Sequence, residues 1–257
     1  GTVLNQQGMP VVHNNEQVAS ALDRIVRANT KGSAFGADLA TLAGRSIDAE
    51  KLLSQQLPAA NHTSLGTDDD LKYFSPLFNS MQTSALAQQL KMVARTIAAR
   101  NGLGMKRQVF FVNLYGFDTH DNQNKNHADL MARLDHALKY FDATLTRLGV
   151  NQQVTTFTAS DFGRTFTSNG DGSDHGWGAH HLVLGGAVQG GAVYGQWPDT
   201  VLGGAQDVGQ GRLLPTTSVQ QLAVALARWM GVSPSDFGLV APGHGAFDGA
   251  ALSGLLA

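Results

Sequence analysis

The sequence predicts an α/β fold, a parallel-sheet core preceded by a mainly helical N-terminal portion. Three observations carry that expectation. Apolar residues recur at helical spacing through most of residues 1–104. Short β-rich apolar runs begin only after residue 105, at residues 108–114 and 154–158. Between those runs lies one long amphipathic stretch, so residues 108–160 read as a strand–loop–helix–strand unit and hence as a right-handed parallel crossover. Residues 1–104 are accordingly assigned to the helical portion and 105–257 to the α/β core.

Each element has a local reason. Asn14 and Asn15 are candidate N-caps for a helix carrying Val18, Leu22, Ile25 and Val26. A second helix is predicted over residues 34–57, stopped by Pro58. Residues 58–75 are polar and irregular, and their run Asp68-Asp69-Asp70 reads as a solvated loop rather than a calcium loop, which needs more oxygen ligands at set spacing. A third helix is predicted over residues 81–99. The helix of the crossover spans residues 126–148, with Leu130, Leu134, Ala137, Leu138, Phe141, Leu145 and Leu148 on one stripe and Gly149 at its end. Residues 182–184 and 192–194 read as short strands in a glycine-rich, loop-dense region. A last helix over residues 215–230 takes Ser218 as its N-cap and Gly231 as its stop.

Bulk properties exclude more than they identify. The chain has 257 residues, 42% hydrophobic and 15% charged, with a formal net charge of −2. That balance offers no electrostatic handle for nucleic acid or an anionic membrane surface. There is no cysteine, which removes disulfides, thiolate metal sites and cysteine nucleophiles together, and is compatible with export. No apolar stretch approaches the roughly 20 residues that span a bilayer, and no signal peptide opens the sequence.

The chemistry concentrates in two phrases. Six of the nine histidines lie between positions 120 and 181, interleaved with aspartates. The first phrase is Gly116-Phe117-Asp118-Thr119-His120-Asp121. The second runs from Ser160-Asp161-Phe162-Gly163-Arg164-Thr165 to Asp174-His175-Gly176-Trp177-Gly178-Ala179-His180-His181. Imidazole and carboxylate are ligands for borderline divalent metals. Both phrases follow expected strands, and ligands of open parallel sheets bind beyond the strands' carboxyl ends. Asp118, His120, Asp161, Asp174, His175 and His180 are therefore the candidate ligands for one or two ions, with Zn, Mn or Ca as the metals considered. His180 is preferred to His181 because neighbours on an extended segment face opposite ways. Aspartate and histidine also cap helices and satisfy turns, so each residue has a plain structural alternative. Arg164 could bind an oxyanion bidentately or pair with Asp161 or Asp174. His127 could line the site or pack in the core, and Trp177 could act as a lid or simply pack. His136 reads as a surface residue, and His13, His62 and His244 stand alone.

Several phrases in order resemble the bacterial proteins grouped as domain of unknown function 1501. They are Gly116-Phe-Asp-Thr-His120 with Gln123 and His127, Ser160-Asp-Phe-Gly-Arg-Thr165, Asp174-His-Gly-Trp-Gly178, Gly190-Gly-Ala-Val-Tyr-Gly195, Leu214-Pro-Thr-Thr-Ser-Val219 and Ala227-Arg-Trp-Met-Gly231. The resemblance covers about residues 105–245. It implies kinship with the sulfatase and alkaline phosphatase superfamily, an alkaline-phosphatase-like core, and twin-arginine export to the periplasm or outside the cell. Asp161 stands where that phrase usually has glutamate. The glycine/asparagine/aspartate phrase that follows the family's first strand has no counterpart here, and neither does the superfamily's nucleophilic Ser or Thr. The chain is thus expected to correspond to the C-terminal two thirds of such a protein, without the first strand or strands. The expected function is an exported metal-dependent hydrolase-like domain acting on a phosphate or sulfate ester, small or glycan-type. The competing expectations are a non-catalytic exported binding or assembly protein that keeps the fold, with or without a structural ion, and an ordinary α/β domain without metal.

Overall fold

The structure is a computed structural model that describes residues 16–28, 34–247 and 252–256. Asn14, Asn15 and His13 lie outside those residues. The chain divides into two compact units, each assembled from separate stretches. One contains the described residues up to Tyr73 together with Thr83–Asn113 and His136–Arg147. The other contains Phe74–Gln82, Leu114–Asp135 and the described residues from Leu148 onward.

The first unit is mainly helical. Helices α1 (Glu16–Ala28) and α2 (Ala34–Gln56) form a hairpin with exposed ion pairs from Arg27 to Asp48 at 2.5 Å and from Lys51 to Asp23 at 2.7 Å. Exposed pairs of this kind contribute about 0–1 kcal/mol each, so they steer the hairpin more than they hold it. Helix α3 (Ala85–Ala98) begins where the Ser84 hydroxyl accepts from the Ala87 N–H, and it buries Leu86, Leu90, Val93, Ala94 and Ile97 along one face. Helix α4 (Gln123–Arg147) buries Ala137, Tyr140, Phe141, Thr144 and Leu145 at the same spacing in its C-terminal half. The irregular stretch before them is fastened by side chains. The Tyr140 hydroxyl donates to the Leu65 carbonyl at 2.7 Å, Arg147 Nε to Ser64 at 3.1 Å, and Arg95 Nε to Pro58 at 3.1 Å. Asp68 and Asp69 are solvated as expected, but Asp70 accepts from both the N–H and the hydroxyl of Thr67, and these bonds hold its carboxyl below the usual range.

The predicted helix starting at residue 81 is corrected. Ser80–Thr83 is strand β2, paired with β1 (Lys72–Ser75), and the four-residue connection includes Asn79 at φ 48°. A link that short joins only antiparallel strands. Asn79 was the available signal, since asparagine tolerates the left-handed region better than most residues. His136, expected at the surface, is half-buried, with its ring centroid 6.4 Å from that of Tyr73.

The second unit holds the remaining strands in two small sheets. Strand β3 (Thr155–Phe157) pairs antiparallel with β6 (Val183–Gly185), and β4 (Gly163–Ser168) pairs antiparallel with β5 (Ser173–Gly176). The expected parallel crossover is therefore corrected: among the described residues no parallel pair occurs. Residues 108–114 belong to no strand, and Val109 and Phe111 are 85% and 86% exposed. A strand needs a ladder partner, and β3 takes its partner from β6 rather than from residues 108–114. Residues 192–194 likewise form no strand. Helix α5 (Val219–Trp229) starts at Ser218 in a full capping box: Ser218 Oγ accepts from the Gln221 N–H, and Gln221 Oε1 accepts from the Ser218 N–H. The short helix α6 (Phe237–Val240) follows.

One buried charge organises the second unit around α4. Asp129, 1% exposed, accepts from the Ser75 hydroxyl and from Arg133 at 2.8 and 2.7 Å. Removing one member of such a group strands its partners. The variant Asp129→Ala is expected to lose about 2–3 kcal/mol, below the full buried-pair cost because the Arg133 side chain is 35% exposed. Urea unfolding read by circular dichroism checks this, and a loss under about 0.5 kcal/mol would show that the group contributes no more than a surface pair.

Candidate metal centre

The two Asp/His phrases meet because a glycine-rich hairpin lets one backbone lie against the other. Strand β4 carries Gly163-Arg-Thr-Phe-Thr-Ser168, and β5 carries Ser173-Asp-His-Gly176. The connection Asn169-Gly170-Asp171-Gly172 returns the chain, with Asn169 N–H donating to the Gly172 carbonyl at 3.2 Å. Register then sets Arg164 opposite His175 and Gly163 opposite Gly176. A side chain at Gly163 would overlap the Gly178 carbonyl, so the strand can approach residues 177–178 only as glycine.

The loop of the first phrase docks on the turn of this hairpin. Gly172 faces the backbone of Thr119 and His120 so closely that a Cβ there would overlap the His120 carbonyl oxygen. Gln123, the first residue of α4, gives its otherwise unpaired N–H to the Asp171 carbonyl at 2.9 Å, and Ser173 N–H reaches the Thr119 carbonyl at 3.5 Å. Asn122, at φ 50°, makes the bend between loop and helix.

On this scaffold three side chains converge. Asp118 Oδ1 lies 2.7 Å from His175 Nε2, 2.9 Å from His120 Nε2 and 3.0 Å from Arg164 Nη1. The two histidine Nε2 atoms are 3.3 Å apart. One ligand atom from each of Asp118, His120 and His175 lies within 4.8 Å of the others, and all three side chains are open to solvent. The His175 hydrogen bond, helped by that of Arg164 and by the charges of His120 and His175, holds the Asp118 carboxyl below its ordinary range. Metal-bound nitrogens sit about 2.0–2.1 Å from zinc, so tetrahedral ligand atoms stand about 3.4 Å apart, close to the histidine separation found here.

The other expected residues take different places. Asp174 Oδ1 is 3.4 Å from His120 Nδ1, behind the imidazole, and also accepts from Asn169 at 3.0 Å. Arg164 donates to Asp118, to the Ser173 hydroxyl at 3.0 Å and to the Ser173 carbonyl. Its ion-pair partner is thus Asp118, not Asp161 or Asp174. His180 stacks on Trp197, with centroids 4.4 Å apart, and His181 Nδ1 lies 3.4 Å from the Thr158 hydroxyl. Burial and the neighbouring His180 hold His181 below the ordinary histidine range. His127 is exposed at the start of the second turn of α4, edge-on to Phe117 at 6.0 Å. Asp161 lies in the connection between β3 and β4 and contributes no ligand atom to the converging set. The sequence reading missed Phe162, whose ring stacks on His175 at 3.8 Å. The signal was present: Phe162, Arg164 and the partner position of Arg164 share one face once β4 and β5 are recognised as a hairpin.

The docking at Gly172 is testable. Gly172→Ala is expected to cost about 1–3 kcal/mol through the forced overlap and to lower the melting temperature by several degrees. Gly190→Ala, where a Cβ meets open space at ordinary backbone angles, is expected to be neutral within about 0.5 kcal/mol. Equal melting temperatures for the two variants would show that the loop does not rest on the hairpin as described.

Comparison with known proteins supplies a family and no activity. No curated protein and no solved structure matches the chain. Residues 12–244 match the family described as protein of unknown function (DUF1501), and the chain belongs to that family.

Proposed function

We propose that Asp118, His120 and His175 hold a divalent metal ion in a hydrolase-like domain that acts on a phosphate or sulfate ester outside the cytoplasm. The observation that carries the metal assignment is the meeting of three ligand atoms from two distant segments within 4.8 Å. The donor set fits the group. Two imidazole nitrogens and one carboxylate oxygen suit zinc or manganese, whereas calcium takes oxygen ligands. Three protein ligands are also the number that zinc sites use when a position is kept for water or substrate.

The neighbouring residues have roles that follow from their contacts. Asp174, behind Nδ1 of His120, orients that ring and favours the tautomer whose Nε2 is free to bind. Arg164 fixes the Asp118 carboxylate, which leaves only its outer Nη hydrogens to meet an ester oxyanion. A bound ion supplies positive charge that polarises an ester oxygen and lowers the pKa of a bound water. The solvent exposure of all three ligands admits a substrate without a lid. Relation to the alkaline-phosphatase-like superfamily and export by the twin-arginine route belong to the same proposal, supported by the phrases matched in order. Among the described residues no helix is long and apolar enough to cross a membrane.

Protein purified without added metal is expected to carry up to about one equivalent of a divalent ion and to be stabilised by Zn or Mn, by about 2.7 kcal/mol at a hundredfold excess over Kd. His120→Ala and His175→Ala should fold, lose that stabilisation and lose turnover of aryl phosphate or sulfate esters. Less than about a tenth of an equivalent by elemental analysis, with no thermal shift on adding Zn or Mn, sinks the metal assignment. Metal binding without turnover of either ester class favours a non-catalytic binding or assembly role.

A further inference from the structure

Phe162 is a non-polar residue inside a polar cluster. Its ring lies parallel to the His175 imidazole, with centroids 3.8 Å apart and an interplanar angle of 6°. The guanidinium carbon of Arg164 stands 5.7 Å from the same ring centroid. Both of these nitrogen-bearing groups also touch Asp118 Oδ1, His175 at 2.7 Å and Arg164 at 3.0 Å. The hairpin explains the grouping. Phe162 and Arg164 are two apart along the strand direction, and Arg164 is the register partner of His175.

We propose that Phe162 is a positioning residue that sets the ring plane of His175 so that Nε2 faces Asp118 and His120, and that it favours the ion-bound form of that ring. This rests on the metal reading above. An exposed imidazole turns about two side-chain bonds, and its hydrogen bond to Asp118 fixes only one atom of it. A parallel ring at van der Waals distance removes the remaining rotation. The electron-rich face of phenylalanine attracts positive charge, and an imidazole whose Nε2 is bound to a divalent ion carries more positive character than a neutral one. The stack is therefore stronger in the ion-bound protein than in the ion-free one. A structural phenylalanine would stabilise both forms alike. Phe162 thus complements Asp174: it restrains the His175 ring from its face, whereas Asp174 restrains the His120 ring from its Nδ1 edge.

The test uses the whole chain and two readouts. In metal-free protein labelled with ¹³C-histidine, the His175 ring protons should be shifted upfield by the Phe162 ring current. Phe162→Leu should abolish that shift, and Phe162→Trp should retain it. By calorimetry with zinc sulfate alone, Phe162→Leu should weaken binding by about tenfold or more, the range found when a ligand's supporting residue is removed. Phe162→Trp should stay within about threefold of the parent, and both variants must melt cooperatively to be scored. An unshifted His175 spectrum in the parent overturns the stack. A normal shift with equal zinc affinity in parent and Phe162→Leu overturns the positioning role while leaving the metal site standing. A normal shift with no zinc binding by the parent sinks the metal reading and, with it, the purpose assigned to Phe162.

Discussion

A single oxygen, Asp118 Oδ1, accepts from Arg164 Nη1 and lies within 2.9 Å of the Nε2 atoms of both His120 and His175, and the local structure is arranged so that these can coincide. The electrostatics alone do not achieve this. The side chains of Asp118, His120 and His175 are 55%, 45% and 49% exposed, and contacts at that exposure contribute about 0–1 kcal/mol each. Ordering a side chain costs a comparable amount. The convergence has to be prepared by backbone. The Gly172 contact with His120, the Gln123 N–H on Asp171 and the Arg164–His175 register bring the two phrases together through backbone contacts alone.

How much of this was legible in the sequence depends on the range of the signal. The helices could be read because their apolar spacing is local. Ser84 and Ser218 cap their helices within three residues, and α4 shows its stripe across 25 residues. The hairpin β4–β5 was harder, since Gly163 and Gly176 have low strand propensity and masked two short strands. Its signal was the alternation in Arg164-Thr-Phe-Thr followed by Asn169-Gly170, a turn dipeptide between strands. Reading Asp174 and His175 as loop residues left both free to bind an ion. As neighbours on a strand they diverge, so His175 meets Asp118 while Asp174 meets the far nitrogen of His120. The stack of His180 on Trp197 was not legible, because nothing local links residues 17 positions apart across irregular chain.

The parallel-crossover reading shows a different failure. A β-rich run, a long helix and a second β-rich run satisfy the pattern of a crossover whether or not the two runs share a sheet. Sharing is decided by pairing partners, and β3 finds its partner in β6. Residues 108–114 hold β-rich composition without a ladder, leaving Val109 and Phe111 in solvent and the Asn113 backbone bonded to the Gln89 side-chain amide at 2.9 and 3.0 Å. Composition specifies a strand's suitability and leaves its neighbours open.

The strand-end rule nevertheless pointed to three residues that the structure brings together, Asp118, His120 and His175, for a reason that the geometry replaces. In an open parallel sheet a site forms because successive strands deliver their loops to one edge. Here one loop and one hairpin bring the three side chains together, and glycine permits the approach. The consequence is mechanical. A site on a sheet edge inherits the rigidity of many ladder bonds, whereas this one depends on a few backbone bonds around Thr119, Asp171 and Gly172. Such a site gains preorganisation only from side chains that restrict its ligands individually. On the proposed reading, the contacts of Asp174 with His120, Arg164 with Asp118 and Phe162 with His175 therefore matter as much as the three converging side chains: each restricts a rotation that a stiffer scaffold would have restricted for all three.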